Sequence, residues 1–166
     1  MDAQSTAAAL PPPAPVPRPA DDAEDDRWCT AVRLLNLMER RLDEVLQRHH
    51  HLPLSEYRAM CALSRPESTD GLRMGELASR IGMKDSSVTR LIARLEAQGL
   101  ARRAPGGGDG RAVTAVITDA GRERYAEATS TYRAALGAEL DAARTDIHLA
   151  DLASWVRTAA PAETPE

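Results

Sequence analysis

Apolar residues recur at helical spacing from Trp28 onward: Trp28, Val32, Leu35, Leu42 and Leu46, separated by Arg33, Glu39, Arg40, Asp43 and Glu44. The pattern predicts a long amphipathic helix ending near His49-His50-His51, ahead of Pro53. Ser55 is a candidate cap for a second helix, with Glu56 favourable in its first turn and Tyr57, Met60 and Cys61 on one side. The stretch RPESTDG breaks the chain. Met74, Leu77, Ala78 and Ile81 then predict a short third helix, stopped by Gly82. A fourth follows within a few residues, capped by Asp85, Ser86 or Ser87, with Val88, Leu91, Ile92 and Leu95 as its inner stripe and Gly99 at its end.

Two helices joined by a short Gly-containing turn make a helix-turn-helix. Two short runs follow, Leu100 to Ala104 and Arg111 to Thr118, around the loop PGGGDG; they predict a β-hairpin with a long tip. Thr118 suits the cap of a helix from about Asp119 to about Ala142, and a last helix contains Ile147, Leu152, Trp155, Val156 and Ala159. The expected fold is mainly α with a small β-hairpin: a winged helix-turn-helix at about 54–118, flanked by dimerisation helices at 27–51 and 119–160, all in one domain.

Composition sharpens the picture at the ends. Six of the eleven prolines crowd into positions 11–19 and acidic residues follow, so residues 1–26 are expected to be a disordered tail, unable to bury enough apolar surface to offset ordering. Residues 161–166 are expected to be a flexible tail. The chain has 43% hydrophobic residues but no Phe, which favours a helical core of Leu, Val, Ile, Met and Ala.

Charge changes the functional expectation. The overall value of -4 divides unevenly: residues 1–26 carry -5, 27–71 carry +1, 72–124 carry +4 and 125–166 carry -4. Positive charge concentrated on the helix-turn-helix and hairpin is the footprint of a module that contacts DNA. On the fourth helix the core stripe leaves Ser86, Thr89, Arg90 and Ala93 on the opposite face. Hydroxyls and arginines on such a helix can bond base edges in a major groove, and Lys84 and Arg94 flank them as candidate phosphate contacts. In the wing, consecutive glycines allow close approach to a duplex and Arg111 can enter a minor groove, with Asp109 holding a nearby arginine by a charge-assisted bond.

The stretch from Leu54 to Gly121 resembles the MarR family of bacterial regulators. The residues that carry the resemblance are LSEYRAMCAL, MGELASRIGM, SSVTRLIARLEAQGLARR, the D-x-R of Asp109 and Arg111, and ITDAGRE; flanking helices extend it over about residues 28–160. It implies DNA contact at Ser86, Ser87, Thr89, Arg90 and Arg111, a homodimer assembled by the first and last two helices, and a roughly palindromic double-stranded operator. It also implies release by a small anionic or phenolic effector, and repression more often than activation. The PGGG sequence departs from the usual charged wing. Tyr57, Met60 and Cys61 are candidates for the effector pocket, with Arg58 as the cation for an acidic ligand.

Other candidates carry less. Cys29 stands where peroxide-sensing relatives hold a reactive thiol, with Arg27 and Arg33 near in sequence, but the first helix has no Tyr to pair with it; a structural Cys is the plainer reading. His49, His50 and His51 point in different directions on a helix and lack a fourth ligand, unless His148 joins them in space, so no metal or cofactor is indicated. Cys29 and Cys61 form no C-x-x-C pair, which fits a reducing cytoplasm, and no signal peptide or membrane-length apolar run is present. No nucleotide-binding glycine fingerprint accompanies these elements, so catalysis is not expected. The competing functional class is a winged-helix protein-interaction module that does not bind DNA.

Overall fold

The computed structural model describes residues 19–106 and 113–158. Helix α1 runs Pro19–His50, α2 Leu54–Leu63, strand β1 Leu72–Arg73, α3 Met74–Ile81 and α4 Asp85–Ala97. Strands β2, Ala101–Pro105, and β3, Val113–Ile117, lead to α5, Asp119–Ala143, and α6, Ala150–Arg157. A single 3-10 turn at Pro66–Ser68 links α2 to β1.

Helix α1 starts at Pro19 rather than near Trp28, so the last residues of the 1–26 segment expected to be disordered are helical. Proline fits a first helical turn, where its missing N–H has no intrahelical partner to lose. The other end is as expected: α1 stops at His50, and His51 turns the chain at φ 49°.

Ser55 does not cap α2. The helix begins at Leu54 after Pro53, and its Leu54 N–H is taken by the Asp43 carboxylate of α1 at 2.7 Å. The cap is therefore tertiary, and it fixes α2 against α1. Likewise no side chain caps α4: Lys84 precedes it in extended conformation, and Asp85, Ser86 and Ser87 are its first three residues.

The sheet has three strands in the order β1-β3-β2, where a two-stranded hairpin was expected. Leu72 pairs with Ala115 and Arg73 with Thr114, so the two-residue β1 lies on the far side of β3. Strand β2 pairs along β3 from Ala101–Ile117 to Pro105–Val113. The core below is continuous, with Leu46 from α1, Met60 and Leu63 from α2, Leu77 from α3, and Val88, Leu91, Ile92 and Leu95 from α4 at or near zero exposure. At roughly 1.5–3 kcal/mol for each fully buried Leu, Ile or Met, this stripe explains why α4 presents the same face inward throughout.

A smaller cluster, Leu140, Ala143, Leu149 and Ala153 with Leu34 and Met38, joins α5, α6 and α1 away from the winged unit. Helix α6 is shorter than expected: Ile147 lies in the turn before it, and Ala159 lies outside the described residues. No helix among the described residues is long and apolar enough to cross a membrane.

Candidate nucleic-acid interface

Gly82 sets the angle between α3 and α4. At φ 67° it ends α3 with the Met83 N–H bonded to the Ala78 carbonyl at 2.9 Å and its own N–H to Ser79 at 3.3 Å. A side chain is strained in this left-handed conformation, whereas Gly adopts it freely. Helix α4 closes in the same way, with Leu100 N–H on the Leu95 carbonyl at 2.8 Å and Gly99 at φ 72°.

With Val88, Leu91, Ile92 and Leu95 buried, Lys84, Ser86, Thr89, Arg90, Ala93 and Arg94 are exposed, and Ser87 is half-buried. The helical repeat puts Ser86, Arg90 and Arg94 in one row. The Thr89 hydroxyl donates back to the Asp85 carbonyl at 3.0 Å, leaving its lone pairs available as acceptors. Arg94 is not a free cation: its Nε donates to the buried Glu56 carboxylate at 3.2 Å, and Gln98 donates to the other oxygen at 3.3 Å. Asp109 and Arg111, the wing candidates of the sequence, lie outside the described residues.

Sequence reasoning missed the side chain that fastens wing to helix. Arg103 of β2 bonds the Glu96 carboxylate through Nη1 at 2.9 Å and the Thr89 carbonyl through Nη2 at 3.2 Å. Its backbone N–H also reaches Glu96, at 2.9 Å. The alternation of β2 could have pointed to it, since one of the adjacent Arg102 and Arg103 had to face α4.

A second concavity opens between α2, α3 and α5. Its volume is about 530 Å³, and Tyr57, Arg58, Cys61 and Tyr132 line it beside Arg65, Glu67 and Arg80. Met60, grouped with these residues from the sequence, is instead fully buried in the core. The periodicity that places Tyr57 and Cys61 at the cavity turns Met60 away from it.

All three tyrosines of the chain gather here, with ring centroids 5.2 Å apart for Tyr57–Tyr125 and 4.4 Å for Tyr57–Tyr132. Burial raises the pKa of each phenol. The Tyr125 hydroxyl donates to Cys61 Sγ at 3.4 Å, and Arg58 is bonded to Glu39 at 2.7 Å. A guanidinium paired with an exposed carboxylate can exchange it for a ligand's.

The remaining candidates are dispersed. Cys29 is exposed on α1, in a shallow depression with Trp28, Val32 and Arg33. His50 shares a 2.8 Å hydrogen bond with Thr131, while His49, His51 and His148 are exposed. Among the described residues, no group of three or more His, Cys, Asp or Glu side chains is gathered for a metal.

Comparison with known proteins agrees with this geometry. Residues 52–112 match the sequence model of the MarR family. Over 98 residues, 59% of this chain, the identity is 35% to the HTH-type transcriptional regulator TtmR of Methylorubrum extorquens; the chain spans about half of that protein's length, 49%. Sco3205, a MarR family transcriptional regulator from Streptomyces coelicolor solved in complex with DNA, superposes at TM-score 0.68 and 29% identity, over 81% of this chain and 87% of that one. AbsC, a MarR family transcriptional regulator of the same organism, superposes at TM-score 0.67 and 26% identity over 82% and 90%. In sequence over residues 52–112, and in fold over most of its length, this chain is similar to transcriptional regulators of the MarR family.

Proposed function

We propose that this chain is a sequence-specific DNA-binding regulator of transcription, acting as a homodimeric repressor whose grip on a palindromic operator is loosened by a small ligand. The observation that carries the reading is the outer face of α4, where Ser86, Thr89, Arg90 and Ala93 are exposed opposite a fully buried stripe and beside the wing. Such a face supplies base-edge donors and acceptors from hydroxyls and a bidentate fork from Arg90, with Lys84 and Ser87 at the helix start for phosphate. The DNA complex of Sco3205, at 29% identity, supports it. From the sequence, Arg111 is assigned to the minor groove and Asp109 to steadying a nearby arginine.

A second copy is the partner assigned to the terminal helices. Trp28, Ile147 and Trp155 are 69%, 89% and 72% exposed, and Leu35, Leu152 and Val156 are exposed with them. Apolar residues accumulated at the ends of α1 and α6 are suited to burial against a copy of themselves, and two-fold pairing would present two α4 helices about one helical turn of DNA apart. The effector is assigned to the cavity of about 530 Å³, a size that takes a small aromatic acid, with Tyr57 and Tyr132 as ring contacts and Arg58 for the carboxylate. A ligand that prefers a dimer with misplaced α4 helices weakens operator binding by that preference.

The test is affinity selection of genomic fragments by the purified chain, followed by anisotropy titrations across salt concentrations. Lys84→Ala should weaken all duplexes and flatten the salt slope by about 0.9, the loss of one phosphate-neutralising cation, whereas Arg90→Ala and Thr89→Ala should change sequence preference. Retention of no fragment, or a monomer mass by light scattering at micromolar protein, overturns the reading.

A further inference from the structure

Glu56 is the only charged side chain buried among the described residues, at 3% exposure. It sits in the first turn of α2, 38 residues from Arg94, and its two oxygens face α4: one accepts from Arg94 Nε at 3.2 Å, the other from Gln98 at 3.3 Å. A buried ion pair seldom adds net stability, because desolvation cancels most of its attraction. What this one does is geometric. The Arg94 side chain remains 53% exposed, and no hydrogen bond occupies its two terminal nitrogens among the described residues. Held at Nε from the core side, the guanidinium is turned with its outer edge to solvent, in the row of Ser86 and Arg90.

We propose that Glu56 is a positioning residue for the DNA interface: it aims Arg94 at backbone phosphate and fixes the C-terminal half of α4 to α2. The inference rests on the DNA-binding reading above. Two consequences follow from the chemistry. An arginine already ordered loses less side-chain entropy on meeting a phosphate in the right register. Its charge is also offset by the carboxylate, so it adds little to the unspecific attraction that any duplex exerts on a basic face. Glu56 thereby favours correctly seated DNA over merely nearby DNA. The same α2 helix carries Tyr57, Arg58 and Cys61 on the cavity wall, so a movement of α2 is passed to α4 through this carboxylate.

The experiment compares the wild-type chain, E56Q and R94K on a genomic fragment selected by the wild type and on a random-sequence duplex of equal length. E56Q keeps the shape and loses the charge. Its preference for the selected fragment should fall about tenfold, the worth of one charge-assisted bond. Its binding to random duplex should tighten, and its salt slope should steepen by about 0.9 as Arg94 becomes a free cation. A merely destabilised protein would not bind random DNA more tightly.

R94K, an exposed substitution that does not depend on how the core tolerates change, keeps the charge but loses the rigid fork; it should lose discrimination to a similar degree. Should E56Q fail to fold, R94K decides. Wild-type discrimination in R94K, or in a folded E56Q with an unchanged slope, overturns the proposal while leaving the DNA reading intact. A wild-type chain that retains no fragment overturns both.

Discussion

Glu96, near the end of α4, and Arg103, on β2, hold one another twice: the carboxylate accepts the guanidinium at 2.9 Å and the Arg103 backbone N–H at 2.9 Å. Strand β2 is an edge of the sheet, and its outward amides have no neighbouring strand. Glu96 stands in for that strand at one position. Glu96→Ala should speed hydrogen exchange at the Arg103 amide well beyond the change at Val116 on the central strand, with a global loss of only about 0.5–1 kcal/mol because the pair is partly exposed. Equal acceleration at both amides would show that the clasp has no local effect.

Thr118 joins the end of β3 to the start of α5 and to the loop beside α4. Its hydroxyl accepts from Gly121 N–H at 3.1 Å and donates to the Gly99 carbonyl at 2.7 Å. Thr118→Ala should cost about 1–2 kcal/mol in chemical denaturation, and Thr118→Ser should recover most of it. If Ser proves as costly as Ala, the hydroxyl is not what matters.

Gly121 is demanded by contact rather than by backbone angle. A Cβ there would stand 2.0 Å from the Leu100 carbonyl oxygen and 2.8 Å from Ile117 Cγ1. The obstruction is backbone, so relief requires α5 to move off the wing, and Gly121→Ala should cost on the order of 2–4 kcal/mol. By contrast, Gly137→Ala on the same helix meets nothing within 4 Å and should stabilise by up to about 1 kcal/mol. Urea midpoints of the two variants should therefore move in opposite directions.

The tyrosine cluster makes an optical prediction. Burial raises the pKa of Tyr57, Tyr125 and Tyr132, and these are all the tyrosines the chain has. The folded state then holds its phenolic protons above the ordinary pKa of about 10 while the unfolded chain releases them, so stability falls as pH rises beyond about 10. Tyrosinate absorbance should stay low in the native protein at that pH and emerge together with the loss of helical circular dichroism. An ordinary titration near pH 10 with intact helices would contradict the cluster.

Much of this was legible in the sequence because period and punctuation agree. The stripe of Val88, Leu91, Ile92 and Leu95, the stop at Gly82 and the cap at Thr118 are local features, and the structure has them where the spacing puts them. Local signals failed where the partner is distant. Ser55 looks like a cap, but the α2 start is served by Asp43 from another helix. Glu56 suits a helix start on its own account, yet it is buried by Arg94 and Gln98 far along the chain. Strand β1 has only two residues, too few to show an alternation, and exists because β3 has a free edge to offer it.

The placement of β3 between β1 and β2 has a bearing on how the molecule is made. Leu72–Arg73 and Ala101–Pro105 both rest on Val113–Ile117, so the strand synthesised last is the one the earlier two need. A nascent chain that has emerged only as far as the glycine loop can wind α3 and α4 and bring them onto α2, but it lacks the strand that ties β1 to β2. Closure of the sheet waits for about forty further residues after β1, and a ribosome halted before Ile117 would release the four preceding helices without the sheet that braces them.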